Sequence, residues 1–216
     1  MQLWIVRLAF LLVVIRGLHA DTVYTTFGPG NSFLNGGLWV IGGPLQQEIA
    51  ASFVPSHDFT LQSIDFAGAL LLGPDSHVTV DLAAGPVAPG APIESFSVTS
   101  LSASPAVVTV DSISHPRLNA AVTYWVVLSA PDPTNTLAGW NQNDQGVVDL
   151  SSRQDGGPWS DLGTEVPTPA FDVIGTPITA VPEPSNWVLL ALVLAHQIIT
   201  FTRRRDEHSS GKLTRP

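Results

Sequence analysis

The chain has 216 residues, a formal charge of −9 at pH 7 and no cysteine. The absence of cysteine excludes disulfides and thiol nucleophiles, so a folded domain must be held by its hydrophobic core. Charge is unevenly distributed, because residues 21–180 contain fifteen acidic side chains and two basic ones, Arg117 and Arg153. An excess of thirteen negative charges there disfavours binding to nucleic acid and to anionic lipid, and favours solubility.

The first twenty residues have the pattern of a secretory signal peptide. Arg7 supplies a positive start, residues 8–15 are apolar, and Ala20 ends a cleavage site. We therefore predict a signal peptide at residues 1–20, which the secretion translocon and signal peptidase would process. Arg16 lies unusually near the cleavage site, so an uncleaved N-terminal anchor is the alternative.

Residues 21–175 predict a single exported all-β domain, because short alternating runs recur and no apolar pattern holds a helical period. Val78, Val80 and Leu82 show the period of two. Turns rich in glycine and proline separate the runs, so the expected fold is a jelly-roll-like β-sandwich. Other strands are expected at residues 22–27, 49–54, 59–66, 94–98, 107–111, 123–129, 147–150 and 171–174.

Two of these runs carry more specific predictions. The alternation over residues 59–66 changes phase at Gln62, and a β-bulge there would return both halves to one face. Residues 124–128 are apolar on both faces, which predicts a central strand, and Trp125 is assigned to the core.

Recognisable catalytic motifs are absent from the sequence. His57, His77 and His115 follow no zinc-ligand spacing, and no serine lies in G-x-S-x-G. There is also no glycine-rich phosphate loop, so we predict a non-enzyme without a cofactor. Fifteen acids could supply a carboxylate pair for glycan hydrolysis, but the sequence does not select one.

The best metal candidate is the polar run that precedes Gly146. Asn141, Asn143 and Asp144 present alternating side-chain oxygens, as in a calcium loop. The bidentate carboxylate of such a loop is replaced by Ser152, so a plain polar turn is the favoured interpretation.

Three tryptophans lie in or beside turns: Trp39, Trp140 and Trp159. Exposed indole rings with neighbouring Asn or Asp side chains can form platforms for sugar rings. Because tryptophan is heavily buried on average, packing under the loops is the favoured alternative.

The C-terminal region has three parts in a fixed order. Val181, Pro182, Glu183, Pro184 and Ser185 form an extended proline motif within the linker 176–186. The uncharged segment 187–202 follows and predicts a transmembrane helix. Sixteen residues span about 24 Å, which is short for a hydrocarbon core of about 30 Å. Arg203, Arg204 and Arg205 then begin a basic cytoplasmic tail that ends at residue 216.

This arrangement resembles the PEP-CTERM sorting signal of Gram-negative bacteria. The resemblance implies that the helix is a temporary inner-membrane anchor, and that an exosortase-type transpeptidase cuts near the Pro-Glu-Pro motif. Residues 33–174 are also similar to the exported choice-of-anchor β-domains that precede such tails. The residues that carry this second resemblance are Ala50–Phe53, Phe59–Ile64, Pro89–Pro92 and Leu118–Leu128.

The sequence therefore predicts an exported, non-catalytic protein of the cell surface or extracellular matrix, with extracellular polysaccharide as a candidate ligand. An exported hydrolase of glycans or esters is one alternative. A structural spacer without a specific ligand is the other.

Overall fold

The computed structural model describes residues 19–178. Almost all of the predicted signal peptide lies outside these residues. The sorting motif at 181–185, the predicted membrane helix at 187–202 and the arginines at 203–205 also lie outside them.

The described chain forms thirteen β-strands and no helix. The strands of its first half are β1 (Asp21–Thr25), β2 (Leu38–Gly42), β3 (Glu48–Phe53), β4 (Phe59–Leu72), β5 (Val78–Ala84), β6 (Pro92–Val98) and β7 (Ala106–Asp111). Those of the second half are β8 (Arg117–Leu118), β9 (Tyr124–Ser129), β10 (Leu137–Asn141), β11 (Ser151–Arg153), β12 (Ser160–Asp161) and β13 (Phe171–Pro177).

The strands form two antiparallel sheets. Sheet I has the order β1-β13-β4-β10-β2, with β7 and β8 also paired to β4. Sheet II has the order β12-β11-β3-β9-β5-β6. The main core contains side chains of both sheets, so the fold is a β-sandwich, as the sequence predicts at this level.

Alternating side chains explain why these segments become strands. On β5, Val78, Val80 and Leu82 are fully buried in the core, while Thr79 and Asp81 point to the outer face. Burial of such apolar side chains contributes roughly 25 cal/mol per Å² of surface removed from water. This period-two pattern therefore fixes which face of each strand meets the other sheet.

The predicted bulge on β4 is confirmed. Ser63 pairs with Ile174 and Leu61 pairs with Gly175, so Gln62 is the extra residue between them. Phe59 and Leu61 before the bulge, and Ile64 and Phe66 after it, all enter the core.

The central strand is also confirmed, since β9 lies between β3 and β5 in sheet II. Tyr124, Val126 and Leu128 face the main core. Trp125 is buried as predicted, but it lies on the outer face of sheet II together with Val127.

The strand predicted at 147–150 is wrong. Asp149 has φ = 102°, which is incompatible with a strand, and Val148 makes only an isolated bridge to Pro167. The neighbouring β10 was not predicted because it contains Gly139. A Cβ at Gly139 would lie 3.3 Å from side-chain atoms of both Leu38 and Leu71, so the glycine lets these two side chains approach each other.

Candidate functional site

The outer face of sheet II carries a second apolar cluster. Ala50, Ala83, Trp125 and Val127 are buried there, and the half-buried Trp159 packs against them. Trp125 is held by a hydrogen bond from Nε1 to the carbonyl oxygen of Gly85, at 2.8 Å. Trp159, in the loop before β12, therefore packs on the outer face of sheet II.

Trp159 has a cationic partner on the adjacent strand. The guanidinium carbon of Arg153 lies 4.6 Å from the centroid of the Trp159 ring, which is cation–π geometry. Arg153 also donates from Nη2 to Glu48 Oε2 at 2.7 Å, and it lies directly opposite Glu48 in the pairing of β11 with β3. Three side chains thus form one connected unit, which we call the Trp159 triad: Trp159, Arg153 and Glu48.

An open cleft of about 350 Å³ adjoins this triad. Glu48 belongs to both, because its side chain pairs with Arg153 and it also lines the cleft. The lining residues come from three connections and the start of β3: Gln46, Gln47, Glu48, Ala130, Pro131, Pro133, Asp155 and Gly156.

Local backbone geometry shapes the cleft walls. Gln46 and Asp155 have φ of 47° and 50°, and Gly156 has φ of 65°, so tight turns present these residues. On the third connection, Asp132 accepts hydrogen bonds from Thr134 Oγ1 and Asn135 Nδ2, both at 2.8 Å. The hydrogen bonds from Asn135 and Thr134 lower the pKa of Asp132, so the carboxylate stays ionised and holds this wall.

The chemistry of the cleft suits a polyhydroxylated ligand. Gln46 and Gln47 carry amides that both donate and accept hydrogen bonds, while Glu48 and Asp155 accept them. Pro131 and Pro133 add rigid apolar surface to the lining.

The other two candidate tryptophans have different positions. Trp140 is 0% exposed, makes edge contacts with Phe66 and Phe171, and donates from Nε1 to the Ala170 carbonyl at 3.0 Å. The prediction of Trp140 as a ligand platform is therefore wrong, since a ring filling the core cannot stack on a sugar. Trp39 is half-buried against the core, and its Nε1 donates to the Pro167 carbonyl at 2.9 Å. The three rings do not converge, and of the three only Trp159 is linked to the cleft, through Arg153 and Glu48.

The polar run before Gly146 forms a closed turn. Asn143 is buried, and its Oδ1 accepts from the backbone N–H groups of Gln145 and Val147 at 3.0 and 2.9 Å. Asp144 accepts from Ser32 Oγ at 2.7 Å, and Asn141 Nδ2 donates to the Leu34 carbonyl at 3.3 Å. The Asn143 oxygen that a calcium loop would use already accepts two backbone hydrogen bonds. This geometry favours the plain polar turn.

The histidines of the domain are dispersed. His57 contacts Ser56, His77 pairs with Asp75, and His115 Nδ1 lies 2.9 Å from the Leu61 carbonyl. Among residues 19–178 no group of three or more His, Cys, Asp or Glu side chains is placed to hold a metal ion.

Sequence reasoning identified Trp159 but missed Glu48, Gln46, Gln47 and Asp155. These residues meet only because β3 pairs with β11 across a separation of about a hundred residues in sequence. One available signal was Arg153, which is one of two basic side chains in an acidic domain. Its rarity there favours an ion pair with an acidic side chain.

Comparison with known proteins finds no family model that matches this chain and no curated protein with significant similarity. Within the described part of the chain, no helix is long and apolar enough to span a membrane.

Proposed function

We propose that this chain is an exported, non-catalytic β-sandwich protein that binds extracellular polysaccharide through the cleft beside Trp159. The observation that carries the proposal is Glu48. Glu48 lines the cleft and also pairs with the arginine that stacks on Trp159, so it connects an aromatic surface to a polar cleft.

Polysaccharide is the ligand class that uses both parts of this site. Sugar hydroxyls hydrogen-bond to amides and carboxylates, while the C–H face of a pyranose packs on an indole ring. A ligand of high negative charge is disfavoured, because the domain carries thirteen more acidic than basic residues. Neutral or cationic glycans are therefore the preferred ligands.

The route to the cell surface is the second part of this proposal. A signal peptide at 1–20 directs export, and the helix at 187–202 holds the chain in the inner membrane until an exosortase-type transpeptidase cuts near Glu183. The domain is then delivered to the surface or matrix of a Gram-negative cell. A jelly-roll-like strand arrangement, as in choice-of-anchor domains, is the fold variant that we propose within the observed sandwich.

Binding is tested with the full-length chain on a glycan array and by pull-down with polysaccharide of the source organism. Wild type should bind, Trp159→Ala should lose about tenfold or more in affinity, a change of about 1.4 kcal/mol, and Trp39→Phe should bind as wild type. Trp39 is the matched control because it is half-buried on the other sheet. Equal binding by all three chains would refute the assigned site.

Sorting is tested independently by replacing Glu183 with Ala. The substituted chain should accumulate in the inner-membrane fraction, whereas wild type reaches the surface. Unchanged release would contradict the sorting proposal and would leave the glycan proposal intact.

One observation favours the spacer function as a second candidate. Trp39 and Trp140 both serve the structure of sheet I, through packing and through hydrogen bonds to the segment 167–170. If no polysaccharide binds, a spacer with a stabilising Trp159 triad is the function that these contacts support.

A further inference from the structure

Two carboxylates face each other on the outer surface of sheet I. Asp65 on β4 lies directly opposite Asp172 on β13 in the antiparallel register. Their chain neighbours Ile64, Phe66, Phe171 and Val173 all enter the core, so alternation places both aspartates on the outer face.

One carboxylate oxygen of each aspartate is buried without a partner. Asp172 is only 8% exposed, and the Oδ1 atoms of both Asp172 and Asp65 are buried without a hydrogen-bond donor among the described residues. Like charges directly opposite each other in a sheet are destabilising, and a buried carboxylate without a partner is costly. Burial first, and the neighbouring Asp65 charge second, raise the pKa of Asp172 to about 6. Both causes disfavour the ionised form, so a positive charge beside the pair would stabilise it at neutral pH.

The described part of the chain has no free arginine and no lysine to supply that charge. Its only two arginines are already paired, Arg117 with Asp58 and Arg153 with Glu48. It contains no lysine. Of its four histidines, His57, His77 and His115 have the contacts described above, and the exposed His19 precedes β1, far along that strand from Thr25.

The surroundings of the pair are rich in oxygen. Thr25 on β1 lies opposite Asp172, and Thr109 on β7 lies opposite Asp65, so four oxygen-bearing side chains form a row across four adjacent strands. The two facing carboxylates are oxygen donors of the kind that a hard cation prefers, and the threonines keep their flanks polar.

We propose that Asp65 and Asp172 form a low-affinity calcium site on the outer face of sheet I. Calcium accepts six to eight oxygens in irregular geometry, so water can complete the shell around the two carboxylates. With only two protein carboxylates, the expected dissociation constant is in the range of about 10⁻⁴–10⁻³ M, as for extracellular modules. The role of the site is to join β4 and β13, the strands whose facing charges otherwise repel.

The test uses the full-length chain, freed of metal with EDTA and dialysed, at pH 7.5. CaCl₂ is titrated to about 10 mM, a range set by the expected affinity, while thermal unfolding and heat of binding are recorded. Wild type should show saturable binding and a rise in Tm of a few degrees. Asp65→Asn and Asp172→Asn should each remove both effects.

Asp81→Asn is the matched control. Asp81 also has a buried Oδ1 without a donor, but on sheet II it lies between Val127 and Ser95 and faces no carboxylate. This variant should keep the calcium response of the wild type.

Two outcomes would overturn the proposal. The first is no calcium effect in the wild type; a stability that then responds to pH alone would mean that a shared proton neutralises the pair. The second is a calcium effect that survives in both Asp65→Asn and Asp172→Asn. Neither of these outcomes bears on the glycan site, which lies on the other sheet.

Discussion

The outer faces of the two sheets handle buried charge in opposite ways. On sheet II, Glu48 is neutralised by Arg153, and Trp159 covers the guanidinium of that arginine. On sheet I, Asp65 and Asp172 face each other without a counter-charge in the described chain. The difference shows how a domain with two basic residues must distribute them, because one arginine secures the Trp159 triad and none remains for the aspartate pair.

The core that both faces share gives the largest expected effect. Trp140→Ala should lower the free energy of unfolding by about 3–5 kcal/mol, because it leaves a cavity beside Phe66 and Phe171. Trp159→Ala should cost only about 1 kcal/mol, since that ring covers a partly exposed face. Urea unfolding of both variants measures the contrast, and equal losses would show that Trp159 is a core residue and not a surface platform.

Removing the ion pair of Arg153 with Glu48 on sheet II should have the next largest effect on stability. Arg153→Met leaves Glu48 and Trp159 without their partner and should cost about 1–3 kcal/mol. Arg117→Met is the matched control, because its pair with Asp58 is more exposed and should contribute about 0–1 kcal/mol. Denaturant midpoints at low and high salt separate the two, and a larger loss at Arg117 would invert the comparison.

A substitution in the Asp65–Asp172 pair on sheet I should change the free energy of unfolding in the opposite direction. In EDTA at pH 7.5, Asp172→Asn should stabilise the chain by about 1–2 kcal/mol, because it removes a buried charge that faces Asp65 and has no cationic partner. Thermal or urea unfolding of both chains measures this gain. Destabilisation of the variant would mean that the ionised carboxylate has a favourable partner after all.

The pH dependence of that gain follows from the raised pKa of Asp172. Between its ordinary value of 3.8 and about 6, the folded chain binds this proton more tightly than the unfolded chain. The free energy of unfolding should therefore fall as pH rises through this window and become level above it. Other carboxyls titrate in the same range, so the quantity to measure is the difference between wild type and Asp172→Asn. A difference that is constant from pH 4 to pH 7 would contradict the assigned shift.

Much of the sandwich was predictable from alternation, and some of it was not. The period of two located β5 and the bulge at Gln62, because burial of one face makes apolar and polar residues alternate. The strand β9 was located by a run that is apolar on both faces. The alternation pattern gave a wrong strand at Leu150, which is buried in a loop beside the positive-φ residue Asp149. It also missed β10, because Gly139 interrupts the run of apolar side chains.

The sites were less predictable than the strands. Trp159 stood out by type and by its position in a turn. The cleft and the Asp65–Asp172 pair depend on which strands become neighbours, and sequence does not specify pairing between β3 and β11 or between β4 and β13. Trp140 was indistinguishable from Trp159 at the sequence level, since both lie near glycine and polar residues.

The central claim is that polysaccharide binds in the cleft beside Trp159, and hydrogen exchange of the full-length chain tests it most directly. With saturating polysaccharide of the source organism, amide protection should increase in segments 43–48, 130–136 and 154–159, and the outer face of sheet I should not change. Protection confined to β4, β7 and β13, or no change anywhere, would contradict the account.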